Sequence, residues 1–214
     1  MAPVTAKNTT KERLQQRIRA IVAFTIAYNV LEAIVAIAAG SVASSGALVG
    51  FGLDSTIEVT SAVAVAWQFT RPNPEKYERP TLKVIALAFF ALAAYVTFEA
   101  VSSLVANEPA HHSTVGIAIA AASVIIMPLV SYLERRTGRE LGSATAVADS
   151  HQTLMCAWLS AAVLAGLLLN SLLGWWWADP VAALVIAALA VHEGKEAWEG
   201  ESEAAGTIGA FRGA

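Results

Sequence analysis

Long apolar segments separated by short polar stretches determine what this chain can fold into. Each of the first five is close to or above the roughly 20 residues that a helix needs to cross the core of a bilayer. We predict helices over about Ile18–Ala39, Ser45–Phe69, Leu82–Val105, Thr114–Leu133, Ser143–Leu173 and Val181–His192. Because a backbone in lipid must satisfy its own hydrogen bonds, the pattern predicts an all-α integral membrane protein with a bundle of six transmembrane helices.

Composition supports this prediction and excludes other classes. Of the 214 residues, 56% are hydrophobic and 14% are charged, whereas a soluble domain carries about 25% charged residues. The single cysteine, Cys156, excludes an internal disulfide. No phosphate-binding loop of the Gly-x-x-x-x-Gly-Lys-Ser/Thr kind is present, which argues against ATP-driven pumping. We expect neither an enzyme nor a nucleic-acid-binding protein.

The basic residues predict the topology. All 14 fall in the first tail, in every second loop or in the last tail. They are Lys7, Lys11, Arg13, Arg17, Arg19, Arg71, Lys76, Arg79, Lys83, Arg135, Arg136, Arg139, Lys195 and Arg212. Because basic loops stay on the cytoplasmic side, both termini are predicted to be cytoplasmic. We find no removable signal peptide and expect a multi-pass protein of a bacterial inner membrane.

Two acidic residues stand out within the second apolar segment. Asp54 and Glu58 are four residues apart, so they share one face of a helix. Each costs roughly 2.5–3.5 kcal/mol to insert into a bilayer, and such residues usually line a bundle interior or an ion path. The segment has no Lys or Arg to neutralise them, so a cation or a proton is the expected partner. The alternative is that hydrogen bonds or protonation give them a packing role only.

Three motifs together resemble the transmembrane domain of the cation diffusion facilitator family. They are residues 50–59 (GFGLDSTIEV), Ala148-Asp149, and residues 174–184 (GWWWADPVAAL). The resemblance covers about residues 18–198 and is nearest to short bacterial cation transporters and to zinc carriers of the TMEM163 type. It implies proton-coupled efflux of zinc or a related divalent metal.

The resemblance also implies a transport site formed by one pair of residues on the second helix and one on the fifth. The first pair carries over onto Asp54 and Glu58. For the second, the register set by Asp149 places Gln152 and Cys156 where the family has His and Asp. His151 lies one residue out of register and points about 100° away from Gln152. The expected metal ligands are therefore Asp54, Glu58, Asp149, Gln152 and Cys156, and a site rich in oxygen would suit manganese, iron or cobalt as well as zinc or cadmium.

The predicted function is secondary active transport of a divalent metal cation by proton antiport. The alternative is a membrane metal sensor or scaffold that binds metal without moving it. We expect a basic cytoplasmic tail over 1–17, a transport domain over 18–198 and a short flexible tail over 199–214. The resemblance implies no tightly bound cofactor. Metal ions, protons, the lipid bilayer and a second copy, joined through the membrane helices, are the expected partners.

Overall fold

Six α-helices form the protein in the computed structural model, which describes residues 4–69 and 75–212. The helices are α1 (Val4–Ala43), α2 (Gly46–Phe69), α3 (Glu75–Ala106), α4 (Thr114–Leu141), α5 (Ala144–Leu173) and α6 (Ala178–Arg212). Within the described ranges the backbone forms no β-strand. The predicted all-α bundle of six helices is confirmed.

The outer surface of the bundle is apolar, as lipid contact requires. Large hydrophobic side chains such as Val42, Ile125 and Leu172 are exposed, whereas several acidic side chains are buried. Helices α1 to α5 are each long and apolar enough to cross a membrane. The protein is therefore an integral membrane protein.

Helix α6 does not meet the same criterion in the described part of the chain. Its uninterrupted apolar stretch covers only residues 180–191, between Asp179 and His192. A straight crossing of the hydrocarbon core needs about 20 residues. The prediction that this helix also spans the membrane stays a prediction.

The helices pack in pairs around one core. Helix α3 packs mainly on α6, α4 on α5 and α1 on α2, and α1 also packs on α4. The core side chains Leu48, Phe51, Val96, Val163 and Ile186 are fully buried. All five lie toward the end of the bundle that carries the turn between α1 and α2. Packed apolar side chains fill the interior toward that end, and a pocket of about 400 Å³ lies beside them, where the α1–α2 turn meets the end of α3.

Helix α4 is longer than predicted. We expected a basic loop after Leu133, but the helix continues to Leu141. Glu134, Thr137 and Gly138 share one face of the added turns and are buried. The neighbouring Arg136 lies on the outer face and pairs with Glu140 at 3.1 Å. Arg136 and Arg139 therefore mark an exposed helix face and not a break in the helix.

Helix α3 also begins earlier than the loop predicted over Arg71–Pro80 would allow. The helix starts at Glu75 and includes Pro80, while residues 70–74 lie outside the described residues. Pro80 is the sixth residue of the helix, just past the first turn. It therefore leaves one backbone hydrogen bond unmade close to the helix start.

The two predicted tails are largely helical. Helix α1 begins at Val4 and α6 extends to Arg212. The first tail was expected to end before Ile18, and the last to begin at residue 199. The flexibility of the last tail stays a prediction.

Asp179 caps a different helix from the one that we expected. Its position before Pro180 predicts an N-cap of α6, but α6 already begins at Ala178. The Asp179 carboxylate instead accepts from Ser45 Oγ at 2.5 Å and from Ala47 N at 3.5 Å. It therefore serves the free N–H groups at the start of α2, which is an equally favourable place for a carboxylate.

Candidate metal centre

The two acids of α2 meet the cysteine of α5 inside the bundle. Ligand atoms of Asp54, Glu58 and Cys156 all lie within 4.8 Å of one another. Asp54 is 4% exposed and Cys156 is 1% exposed. In a tetrahedral zinc site with bonds of 2.0–2.3 Å, neighbouring ligand atoms are about 3.5 Å apart. To reach that spacing, Cys156 Sγ and Glu58 Oε1, now 2.6 Å apart, would have to separate, while any wider pair would have to close.

Both oxygens of Glu58 are held by hydrogen bonds. Cys156 Sγ donates to Glu58 Oε1 at 2.6 Å, and Asn29 Nδ2 donates to Glu58 Oε2 at 2.7 Å. The contact with Asn29 joins α1 to α2, and the contact with Cys156 joins α5 to α2. The carboxylate is therefore fixed from two sides before any cation arrives.

Asn29 is a residue that sequence reasoning left without a role. It is 5% exposed, and its Oδ1 atom is buried without a hydrogen-bond partner. The sequence signal was an amide in an apolar helix, on the same face as Glu32. Only the packing of α1 on α2 shows that Asn29 reaches Glu58.

Glu32 lies in a separate polar cluster behind the three ligand atoms. Its side chain is fully buried and accepts from Ser55 Oγ at 2.7 Å and from Ser123 Oγ. Tyr28 shares a hydrogen bond with Ser123 at 2.8 Å. Because Ser55 follows Asp54 on α2, this cluster supports the helix turn that carries the first acid.

A cavity of about 540 Å³ leads from the centre toward the end of the bundle that carries the basic residues. Glu58, Cys156, Gln152 and Asp149 line it. Acidic side chains of α6 that sequence reasoning did not select, Glu193 and Glu196, also line it. Among the described lining residues there is no Lys or Arg. A cavity lined by several carboxylates, with no basic side chain among its described residues, attracts cations.

The predicted ligands of α5 occupy different positions. Gln152 lines a small pocket together with Asp54 and Glu58, so it lies beside the three ligand atoms. Asp149 is exposed to the large cavity, and its carboxyl group interacts electrostatically with that of Glu134 on α4. His151 is exposed and lines neither cavity.

Comparison with known proteins agrees with this geometry. The family model named cation efflux transmembrane domain matches residues 81–198. The chain belongs to the cation efflux family. This family consists of transporters and not of enzymes.

Two bacterial relatives of this cation efflux chain are named as a transporter and as a cation-efflux pump. It is 28% identical over 154 residues to an uncharacterized transporter of Synechocystis sp., covering 67% of this chain and 50% of the relative. It is 24% identical over 176 residues to the cation-efflux pump FieF of Shewanella oneidensis, covering 79% of this chain and 59% of the relative. The chain thus spans about half the length of these relatives.

Proposed function

We propose that this protein is a secondary active transporter that exchanges a divalent transition-metal cation for protons. The convergence of Asp54, Glu58 and Cys156 within 4.8 Å is the observation that carries the proposal. The three groups offer two carboxylates and a thiol, a donor set that suits zinc or cadmium, with manganese, iron and cobalt as further candidates. Membership of the cation efflux family supports cation transport.

Proton exchange is supported by the hydrogen bond between Cys156 and Glu58. The thiol proton lies between Sγ and Oε1, two atoms that a metal at this position would bind. A metal can use a cysteine only after the thiol has lost its proton. Metal and proton therefore compete for the same two atoms, which is the condition for exchange at one site.

Gln152 completes the central site in this proposal. Its amide lies beside Asp54 and Glu58, and an amide oxygen would add a fourth donor to the three ligand atoms. We propose a homodimer in a bacterial inner membrane as the assembly. The apolar outer surface supports the membrane setting, and the two relatives come from bacteria with such a membrane.

Flux in sealed proteoliposomes tests the proposal. A zinc-sensitive dye inside the vesicles should report entry of Zn²⁺, and a pH dye should report proton movement in the opposite direction. Glu58→Gln keeps the shape of the side chain but removes its charge, so both signals should fall to the level of empty vesicles. Glu140→Gln, an exposed change on α4, is the matched control and should transport normally.

The same experiment separates a transporter from a sensor. A sensor or scaffold would bind Zn²⁺ at the site, and Glu58→Gln would abolish that binding, but the unchanged protein would give no flux. Normal flux in Glu58→Gln would instead assign the acids of α2 a packing role only.

A further inference from the structure

A second pair of acids meets where α4 packs on α5. Glu134 is 1% exposed, and its carboxyl group lies close enough to that of Asp149 for the two to interact electrostatically. Glu134 Oε2 accepts from Thr153 Oγ1 at 3.2 Å. Glu134 Oε1 is buried and has no hydrogen-bond partner. A buried carboxylate with an unused oxygen is costly unless a further group satisfies it.

No basic side chain neutralises this pair in the described part of the chain. Neither acid has a Lys, Arg or His nitrogen within the 4.0 Å of an ion pair. The adjacent Arg136 pairs with the exposed Glu140. Two carboxyl groups in contact repel each other when both are ionised. The position therefore lacks a positive charge.

We propose that Glu134, Asp149 and Thr153 form a second site, which binds a hard divalent cation such as Mn²⁺ on the wall of the cavity. Asp149 and Thr153 are four residues apart on one face of α5 and line the cavity, while Glu134 faces them from α4. The Thr153 hydroxyl donates toward Glu134 or toward the Asp149 backbone oxygen, so its own lone pairs are free for a cation.

The donor atoms distinguish this second site from the central one. Two carboxylates and a hydroxyl offer oxygen only, the ligands preferred by manganese, magnesium and calcium. The central cluster includes the Cys156 thiol and suits softer metals. Asp149, which the family resemblance assigned to the central site, belongs in this proposal to the second site. This proposal rests on the proposed function, because it takes the cavity to be the path of the transported cation.

Binding of Mn²⁺ alone, measured by electron paramagnetic resonance on the purified full chain in lipid nanodiscs, tests the proposal. The signal of free Mn²⁺ reports how much ion is bound. The starting variant is Asp54→Asn with Glu58→Gln, which removes the central charges. This variant should still bind about one Mn²⁺ per chain through its oxygen donors. Adding Glu134→Gln or Asp149→Asn should lower binding to background, while adding Glu140→Gln should leave it unchanged.

Each outcome decides the proposal. Absence of bound Mn²⁺ in the starting variant, or binding that survives Glu134→Gln, would overturn it. Glutamine can still accept from Thr153, so the variant should fold; a thermal unfolding curve without metal checks this, and Asp149→Asn gives an independent result. Failure of the proposed transport function would appear in a different measurement, as the absence of Zn²⁺ flux in proteoliposomes of the unchanged protein.

Discussion

The Glu58 side chain shows how a single residue is held in place by the packing of other helices. Its two oxygens accept from side chains of two other helices, Asn29 of α1 and Cys156 of α5. These contacts restrict the rotamers of a flexible side chain, so less entropy is lost when a metal binds. The proposed site therefore depends on residues that need not touch the metal.

Asn29→Ala should weaken metal binding without removing a charged ligand. It deletes the donor to Glu58 Oε2, and loss of such a supporting hydrogen bond costs about 10–100-fold in metal affinity. Titration with Zn²⁺ in detergent measures the change. Asn170→Ala is the matched control, because Asn170 also donates at 2.7 Å, but to the backbone of Ala110. Equal affinities for the two variants would show that Asn29 does not support the site.

Cys156→Ser should change which metal is preferred. The hydroxyl keeps a donor to Glu58 but replaces a soft sulfur with a hard oxygen. We expect affinity for Zn²⁺ and Cd²⁺ to fall by about tenfold or more relative to that for Mn²⁺, a difference of about 1.4 kcal/mol. Competition titrations on one protein sample measure the ratio. An unchanged ratio would mean that the sulfur does not contact the metal.

At this scale, local spacing predicted part of the site and tertiary packing supplied the rest. Asp54 and Glu58 could be paired from the sequence because four residues make one helical turn. The contacts of Glu58 with Asn29 and Cys156 span 29 and 98 residues of sequence. No local rule gives such distances. Glu134 was placed in a basic loop because its neighbours are arginines.

Helix packing depends on a few glycines where backbones come close. A Cβ at Gly52 of α2 would lie 2.7 Å from Ile37 Cγ1 and 2.9 Å from the Ile37 backbone nitrogen of α1. A Cβ at Gly46, on the same helix, would meet its nearest atom, Glu99 Cβ, only at an ordinary 3.5 Å. The close approach at Gly52 therefore brings together α1 and α2, the two helices that carry Asn29 and both central acids.

Gly52→Ala should destabilise the protein, whereas Gly46→Ala should not. Overpacking costs about 1–3 kcal/mol when backbone must move, but Ala in an unhindered helical position is favoured over Gly by up to about 1 kcal/mol. Thermal unfolding of the two variants in the same detergent gives the comparison. A Gly52→Ala protein as stable as the Gly46→Ala protein would contradict the close approach of α1 and α2.

Helix number was easier to predict than helix length. Hydropathy located α1 to α5, because an apolar run of membrane length has few other uses in a protein. Hydropathy placed the end of α4 too early, because it counts charged residues without regard to the helix face on which they lie. Arg136 and Glu140 face outward, while Thr137 faces α5. Gly138 is also buried against α5, so a charged segment could extend the helix.

The described part of the molecule has an apolar core toward one end and an acidic cavity toward the other. The core around Phe51 and Ile186 fills the end near the α1–α2 turn, and the acidic cavity approaches the end that carries the basic residues. The predicted topology would therefore make the described conformation open toward the cytoplasm, the side from which an efflux protein takes its cargo.

Single cysteines introduced into a Cys156→Ser background test that topology. Exposed positions at the two ends are suitable: Ser44 and His112 at one end, Glu140 and Lys195 at the other. A membrane-impermeant maleimide added to intact cells should label cysteines at the first two positions and reach the last two only after lysis. The reverse pattern would place the basic end outside.

Asp179 links the start of α6 to the start of α2. Its carboxylate accepts hydrogen bonds from Ser45 and Ala47 at the start of α2. This contact lies at the end of the bundle that carries the α1–α2 turn. A helix of 24 residues such as α2 is about 36 Å long. A rotation of α2 by about 10° around the end held by Asp179 would shift the other end of the helix by about 6 Å. Glu58 lies near the middle of α2, so the same rotation would shift it by about 3 Å, half as far as the far end, and would scarcely move the anchored end.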